Sequence, residues 1–191
     1  MPLLAFYGYL VYKYATDITY FGLLDNLNLL IHEAGHFVFM FFGEFINILG
    51  GTLLQLIMPL LFGGYFVLKK DWLAISFVLA WLATSLFHVA TYVADAQEMA
   101  LPMLIEGMTH DWNFLLIQTN LLEMDDSIAF VIRVIAWSCL MLAIALAGVE
   151  LISKRPKGVE KKALPLSRLP VNFHYKSGLN ASLSLPRKLK K

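Results

Sequence analysis

Charged residues are scarce in this sequence. They make up 15% of its 191 residues, against about 25% in an average soluble protein. The single cysteine, Cys139, leaves no partner for an intrachain disulfide and no cysteine cluster for a metal. Hydrophobic residues reach 59%, and a soluble fold of this size cannot bury that much apolar surface. The composition therefore predicts an all-α, polytopic membrane protein with about four to five membrane helices.

Long apolar runs define the expected membrane helices. A helix needs roughly 20 apolar residues to cross the hydrocarbon, and residues 46–68, 72–93 and 128–152 meet that requirement. Residues 2–14 are short for a span, so a tilted helix, an interfacial helix and a broken half-helix remain open. Residues 18–42 are long enough, but they contain polar residues that are costly in lipid unless they have partners or a role inside the protein. These residues are Asp25, Asn26, Asn28, His32, Glu33 and His36.

The charged residues are segregated, which predicts orientation and domain organisation. Lys69, Lys70 and the basic residues 154–191 are expected on the cytoplasmic side. Residues 94–127 contain seven acidic residues and no Lys or Arg, so they are expected on the opposite side. We predict a membrane bundle over residues 1–153 and a basic, flexible cytoplasmic tail that contacts anionic membrane lipids. No nucleic-acid partner is expected, and the oligomeric state is left open.

Residues 32–36 have the sequence HEAGH. In a helix His32 and His36 share a face, so both imidazoles can bind one metal ion, with Glu33 beside them. A catalytic zinc site has three protein ligands and an exchangeable water, and zinc accepts imidazole nitrogens. Bound zinc can lower the pKa of that water to about 7, and a neighbouring carboxylate then accepts its proton. The motif predicts a Zn²⁺ site with His32 and His36 as ligands and Glu33 as the catalytic base.

HEAGH within an apolar helix resembles the site-2 protease family of intramembrane zinc metalloproteases. The resemblance is specific at His32, Glu33 and His36 and covers about residues 18–95. It implies that the two histidines and a distant aspartate hold zinc while the glutamate is the general base. The sequences GGTLLQ, YVADA, LP and HDW also resemble a group of small prokaryotic membrane proteins that carry HEAGH.

The third zinc ligand is predicted from position, because the chain has no LDG or NPDG sequence, which carries this ligand in the site-2 protease family. His88, Tyr92 and Asp95 are spaced by four and three residues, so they share one face of a helix. Asp95 is the first choice, as a carboxylate two membrane segments after the histidines. His88, about 10 Å deeper in the helix, is one alternative. His110 and Asp111 of the HDW sequence are the others.

Gln55 and Thr52 are the candidate substrate-binding residues. They fall on one helix face with Pro59, after Gly50 and Gly51, which permit close backbone approach. Pro59 removes a hydrogen bond to the Gln55 carbonyl. The freed carbonyl and the Gln55 amide can then bind an extended peptide backbone beside the zinc. The alternative is a packing kink with small residues at a helix crossing.

These features lead to one preferred function and two alternatives. The preferred function is an intramembrane zinc metalloprotease that hydrolyses a peptide bond of a membrane-embedded protein. The first alternative is a zinc hydrolase that acts on a lipid amide or ester with the same residues. The second is a noncatalytic metal-binding membrane protein.

Overall fold

The computed structural model describes residues 2–101 and 110–153, and the predicted tail, residues 154–191, lies outside them. This part of the chain forms six α helices and two short 3-10 helices without a strand, as the sequence predicted. The α helices are α1 (Pro2–Thr16), α2 (Leu23–Phe39), α3 (Glu44–Lys69), α4 (Trp72–Ala94), α5 (Asp111–Gln118) and α6 (Asp125–Ser153). The 3-10 helices are Met40–Phe42 and Leu122–Met124.

Three helical segments are long and apolar enough to cross a membrane: Glu44–Lys69, Trp72–Ala94 and Leu122–Ser153. They contain the three predicted apolar spans. Their large side chains include exposed ones, such as Leu68 at 83% and Phe130 at 65% exposure. Soluble monomers rarely expose large contiguous apolar patches, so length, composition and surface together indicate a membrane protein.

The first two helices are shorter than a full span. α1 has 15 residues and α2 has 17, against roughly 20 for a complete crossing. The described part of the chain therefore contains three helices of spanning length, fewer than the four to five predicted. The prediction of a helix from residue 18 is wrong, because the Asp25 carboxylate accepts the backbone N–H of Gly22 at 2.8 Å. This interaction caps the amino end of α2, which begins at Leu23.

α4 is the most buried of the three long helices and packs between α3 and α6. Small residues allow two helix backbones to approach closely. The contact between α4 and α6 is lined by buried alanines: Ala80, Ala83, Ala136, Ala143 and Ala147. α1 packs on the same core, where Tyr7 hydrogen-bonds Ser76 at 3.0 Å between the two hydroxyl oxygens.

Polar residues of α2 have hydrogen-bond partners on α4. These partners offset the cost of placing polar groups in lipid. The side-chain oxygen of fully buried Asn28 accepts hydrogen bonds from the Trp81 indole N–H at 2.8 Å and the Ser85 hydroxyl at 2.9 Å. Its amide nitrogen donates to the Thr84 hydroxyl at 3.4 Å. This network fixes α2 against the centre of the bundle.

α2 and α3 cross at three glycines that leave no room for a side chain. A Cβ on Gly35 would collide with the carbonyl oxygen of Gly50 and with the backbone of Gly51. A Cβ on Gly51 would lie 2.5 Å from Nε2 of His32. The predicted close backbone approach at Gly50 and Gly51 is confirmed, and it brings α3 directly against the HEAGH segment.

Candidate metal centre

Side chains from α2 and from the start of α5 meet at one point. The Oδ2 atom of Asp111 lies 2.8 Å from Nε2 of His32 and 3.3 Å from Nε2 of His36. One ligand atom from each of these three residues lies within 4.8 Å of the others. His32 and Asp111 are buried and His36 is half-buried. The three residues form a group that could hold a metal ion, which we call the candidate metal centre.

The tautomer of His32 is fixed by Gln55. The Gln55 amide nitrogen lies 3.2 Å from the backbone carbonyl of Ser85, which can only accept, so the amide oxygen points the other way. That oxygen lies 3.2 Å from Nδ1 of His32. Nδ1 must therefore carry the proton that is donated to Gln55. The remaining nitrogen of a neutral His32, Nε2, has a free lone pair that faces Asp111.

The tautomer of His36 is fixed in the same way by a backbone carbonyl. Nδ1 of His36 lies 2.9 Å from the carbonyl oxygen of Asn47, and the Asn47 side-chain amide donates to the His36 carbonyl at 2.7 Å. Nδ1 is again the donor, and Nε2 again faces Asp111. The HEAGH spacing thus brings the Nε2 atoms of two imidazoles to the same carboxylate.

The chemistry of these three residues suits a metal cation. Burial raises the pKa of Asp111, but hydrogen bonds from protonated His32 and His36 and the positive charge of the two rings lower it by more, so the pKa lies below its ordinary value. An ionised carboxylate oxygen that faces two Nε2 lone pairs is repelled, unless protons on both rings or a metal cation lie between them. Two imidazole nitrogens and one carboxylate oxygen are also a ligand set of catalytic zinc sites. Partners that hold the far side of each imidazole are typical of such sites.

Asp95, the first choice for the third ligand, makes other contacts. Its carboxylate accepts the backbone N–H groups of Ala100 at 2.9 Å and Leu101 at 3.1 Å. It also accepts Nε2–H of His110 at 3.3 Å, while Nδ1 of His110 accepts the backbone N–H of Asn113 at 3.2 Å. Burial lowers the pKa of His110 despite the nearby carboxylates. The Asp95–His110 pair therefore holds the start of α5 against the end of α4.

Tyr92 also holds the start of α5. Its hydroxyl oxygen accepts the backbone N–H of Asp111 at 3.2 Å. Its ring packs on His110, with ring centroids 4.2 Å apart, and meets His32 edge-on at 6.2 Å. Tyr92 thus links the two elements that form the candidate metal centre.

His88 lies behind His32. Its Nδ1 is 3.3 Å from the Gln55 amide nitrogen, so it accepts a hydrogen bond from Gln55. The predicted polar row on α4 therefore faces one region: His88 contacts Gln55, Tyr92 contacts Asp111, and Asp95 contacts His110. Of the four candidates for a third ligand, Asp111 is the one grouped with both histidines.

The residues predicted to bind substrate are buried. Gln55 is fully buried, and its amide is occupied by His32, Ser85 and His88. Thr52 is 4% exposed, and its hydroxyl has no hydrogen-bond partner among residues 2–101 and 110–153. α3 continues through Pro59. A substrate-binding role for Thr52 and Gln55 stays a prediction, and Gln55 in addition orients His32.

Glu33 lies beside the candidate metal centre. Its side chain is half-buried, and its carboxylate acts electrostatically on His36 and on Tyr92. Its role as general base stays a prediction.

The sequence did not point to Asn47, Ser85 or Asn113 as parts of the site. Asn47 contacts His36 of α2 through its backbone carbonyl and its side-chain amide, and the backbone carbonyl of Ser85 accepts the Gln55 amide of α3. Asn113 holds α5 by donating to the Ala96 carbonyl at 2.8 Å. The sequence signal that could have found two of them is that Asn47 and Ser85 are polar residues within apolar helices.

No family model matches the chain, and comparison with curated proteins and with solved structures likewise found no similar protein.

Proposed function

We propose that this protein is a zinc-dependent membrane hydrolase in which His32, His36 and Asp111 hold the ion. One observation carries the proposal: Gln55 and Asn47 fix both Nδ1 atoms as donors, so both Nε2 atoms face the Asp111 carboxylate. A zinc ion held there would supply a Lewis acid that polarises a carbonyl group and lowers the pKa of water. Hydrolysis also requires a general base, which Glu33 of the same helix can supply.

Glu33 is the general base of this proposal. It directly follows His32 in α2, and its carboxylate acts electrostatically on His36 and Tyr92. A carboxylate in this place can take a proton from the attacking water and pass it to the leaving nitrogen. The half-exposed position keeps Glu33 accessible to water.

The proposed substrate is a peptide bond of a membrane-embedded protein. Gln55 and His88, which lie directly behind His32, belong to helices of spanning length, so a substrate would approach from the membrane or its edge. The resemblance of residues 32–36 to intramembrane metalloproteases favours a peptide over a lipid amide or ester. A metal site without activity is the remaining alternative, and bound zinc without cleavage of either substrate would select it.

Purified protein is expected to hold about one zinc per chain, and Glu33→Gln should keep that zinc. The variant should hydrolyse a membrane-embedded peptide reporter at least about 100-fold more slowly, because it lacks the general base. The zinc content is measured by elemental mass spectrometry, and cleavage of the peptide reporter is measured in liposomes. Glu44→Gln, which removes an exposed carboxylate at the start of α3, is the matched control and should behave as wild type.

Three results would count against this assignment. Metal-free wild-type protein after purification without chelators would remove the zinc site. Loss of zinc in Glu33→Gln would make Glu33 a ligand instead of the base. Cleavage of a lipid amide or ester in place of the peptide would select the lipid hydrolase.

We further propose that the membrane helices are oriented with the loop at Lys69 and Lys70 and the tail from residue 154 in the cytoplasm. The basic residues of both segments support this orientation. Reporters inserted after Lys70 and fused after Lys191 should both give a cytoplasmic signal, and a reporter beside Asn120 should give an external one. An external signal from the tail would overturn the orientation.

A further inference from the structure

A cleft of about 330 Å³ opens between the end of α1, α4 and α6. Its walls include Tyr14, Thr16, Phe87 and Trp137, and it is also lined by Arg133. Tyr14 stacks on Phe87 with ring centroids 4.2 Å apart, and Phe87 meets Trp137 edge-on at 5.1 Å. The cleft therefore combines three aromatic rings with one guanidinium, and it does not include any residue of the candidate metal centre.

Arg133 has no counter-charge in direct contact. It is the only Lys or Arg between Lys70 and Lys154. Among residues 2–101 and 110–153, its guanidinium makes neither an ion pair nor a hydrogen bond, and Asp126, two turns earlier on α6, acts on it only electrostatically. Arg133 is half-buried within a helix of spanning length. A cation in such a place is costly without a partner.

The hydroxyl groups of Tyr14 and Thr16, which also line the cleft, are already occupied. The Tyr14 hydroxyl donates to the Asp25 carboxylate at 3.0 Å. The Thr16 hydroxyl donates to the Tyr12 carbonyl at 2.8 Å. Of these three side chains, only the guanidinium retains free donors, which favours an anionic acceptor over a neutral one.

The position of Arg133 along α6 is within reach of the bilayer surface. Arg133 lies about 12 Å from the start of α6 at Asp125, at 1.5 Å per residue. The apolar run of α6 begins at Ile128, so Arg133 lies about 8 Å inside it. An arginine at that depth extends its side chain toward the head groups. The aromatic rings beside it provide an apolar wall for the lipid below its head group.

We propose that the Arg133 cleft binds the phosphate group of a phospholipid in the leaflet on the side where α6 begins. The guanidinium donates to the phosphate oxygens in the paired geometry that arginine favours. Phe87 and Trp137 contact the glycerol and the first part of an acyl chain. The site rests on the placement of α6 in a membrane and is independent of the proposed hydrolysis.

The test is native mass spectrometry of the full-length protein after exchange into mixed micelles that contain phosphatidylglycerol. Wild type is expected to retain the lipid, and Arg133→Gln should bind it about tenfold more weakly or worse, because a charged hydrogen bond is lost. Lys13→Gln removes a cation that lies over the Tyr9 and Tyr20 rings and does not line the cleft. This matched control should retain the lipid as wild type does.

Two further measurements test the shape of the cleft and the source of the phosphate. Ala15→Phe leaves the guanidinium in place but fills the cleft that Ala15 lines, so it should also weaken lipid binding. Millimolar inorganic phosphate should leave the lipid bound, and its displacement by phosphate would reassign the site to the free anion. Equal retention by wild type, Arg133→Gln and Ala15→Phe would overturn the site.

Discussion

Asp111→Asn is expected to lower zinc affinity by more than about 100-fold. This is a larger loss than that caused by removing a residue that only hydrogen-bonds to a metal ligand. The carboxylate supplies both the charge and the oxygen that face Nε2 of His32 and His36. The amide has nearly the same shape but lacks the charge, so it cannot balance a divalent cation beside two neutral imidazoles. Zinc titration against a competing chelator measures the change.

Asp95→Asn is the matched control for this prediction. The change is the same, but Asp95 acts through His110 and the loop backbone, so its loss should weaken zinc affinity by only about 10–100-fold. A larger loss in Asp95→Asn than in Asp111→Asn would return the third ligand to Asp95. Comparable affinity in Asp111→Asn and wild type would exclude Asp111.

Gly35→Ala is expected to destabilise the protein by at least about 3 kcal/mol, the upper end of what extra atoms in a well-packed core usually cost. The added Cβ would collide with the Gly50 carbonyl oxygen and the Gly51 backbone, and backbone atoms at a helix crossing cannot move aside as a side chain does. Separation of α2 from α3 would also draw His36 away from Asn47. Thermal unfolding in detergent, with zinc content measured in parallel, reports both effects.

Gly64→Ala provides the control for Gly35→Ala. Gly64 lies in α3, and an added Cβ there would have no heavy atom within 4 Å. Alanine also has the higher helix propensity, so this variant should be as stable as wild type or slightly more so. An unfolding temperature of Gly35→Ala equal to that of Gly64→Ala would show that the crossing is looser than the structure indicates.

The sequence predicted the features that depend on nearby residues. The three apolar helices follow from composition over about 20 residues, and the shared face of His32 and His36 follows from the helix period. The start of α2 was missed because Asp25 was assigned to a membrane segment that begins at residue 18. In the structure it caps the helix, and a capping carboxylate and a carboxylate within a span look alike in the sequence.

The partner of the two histidines could not be predicted, because its position depends on distant packing. His32 and Asp111 are 79 residues apart in the chain, and Asp95, Tyr92 and His110 together fix where α5 begins. Each of the four candidate residues had suitable chemistry and a plausible depth. Gln55 shows the same limit, since a polar residue in an apolar helix predicts an internal partner but does not identify it.

The hydrogen bonds of α4 have a consequence for the order in which the protein assembles during synthesis. Three of these bonds join α4 to a helix made earlier: Tyr7 with Ser76, Asn28 with Ser85, and Gln55 with His88. The polar groups of α4 therefore find partners as soon as the helix emerges, in keeping with folding that proceeds from the amino terminus. The Tyr92 hydroxyl instead awaits Asp111 at the start of α5, so the two imidazoles are in place before the carboxylate of Asp111 reaches them.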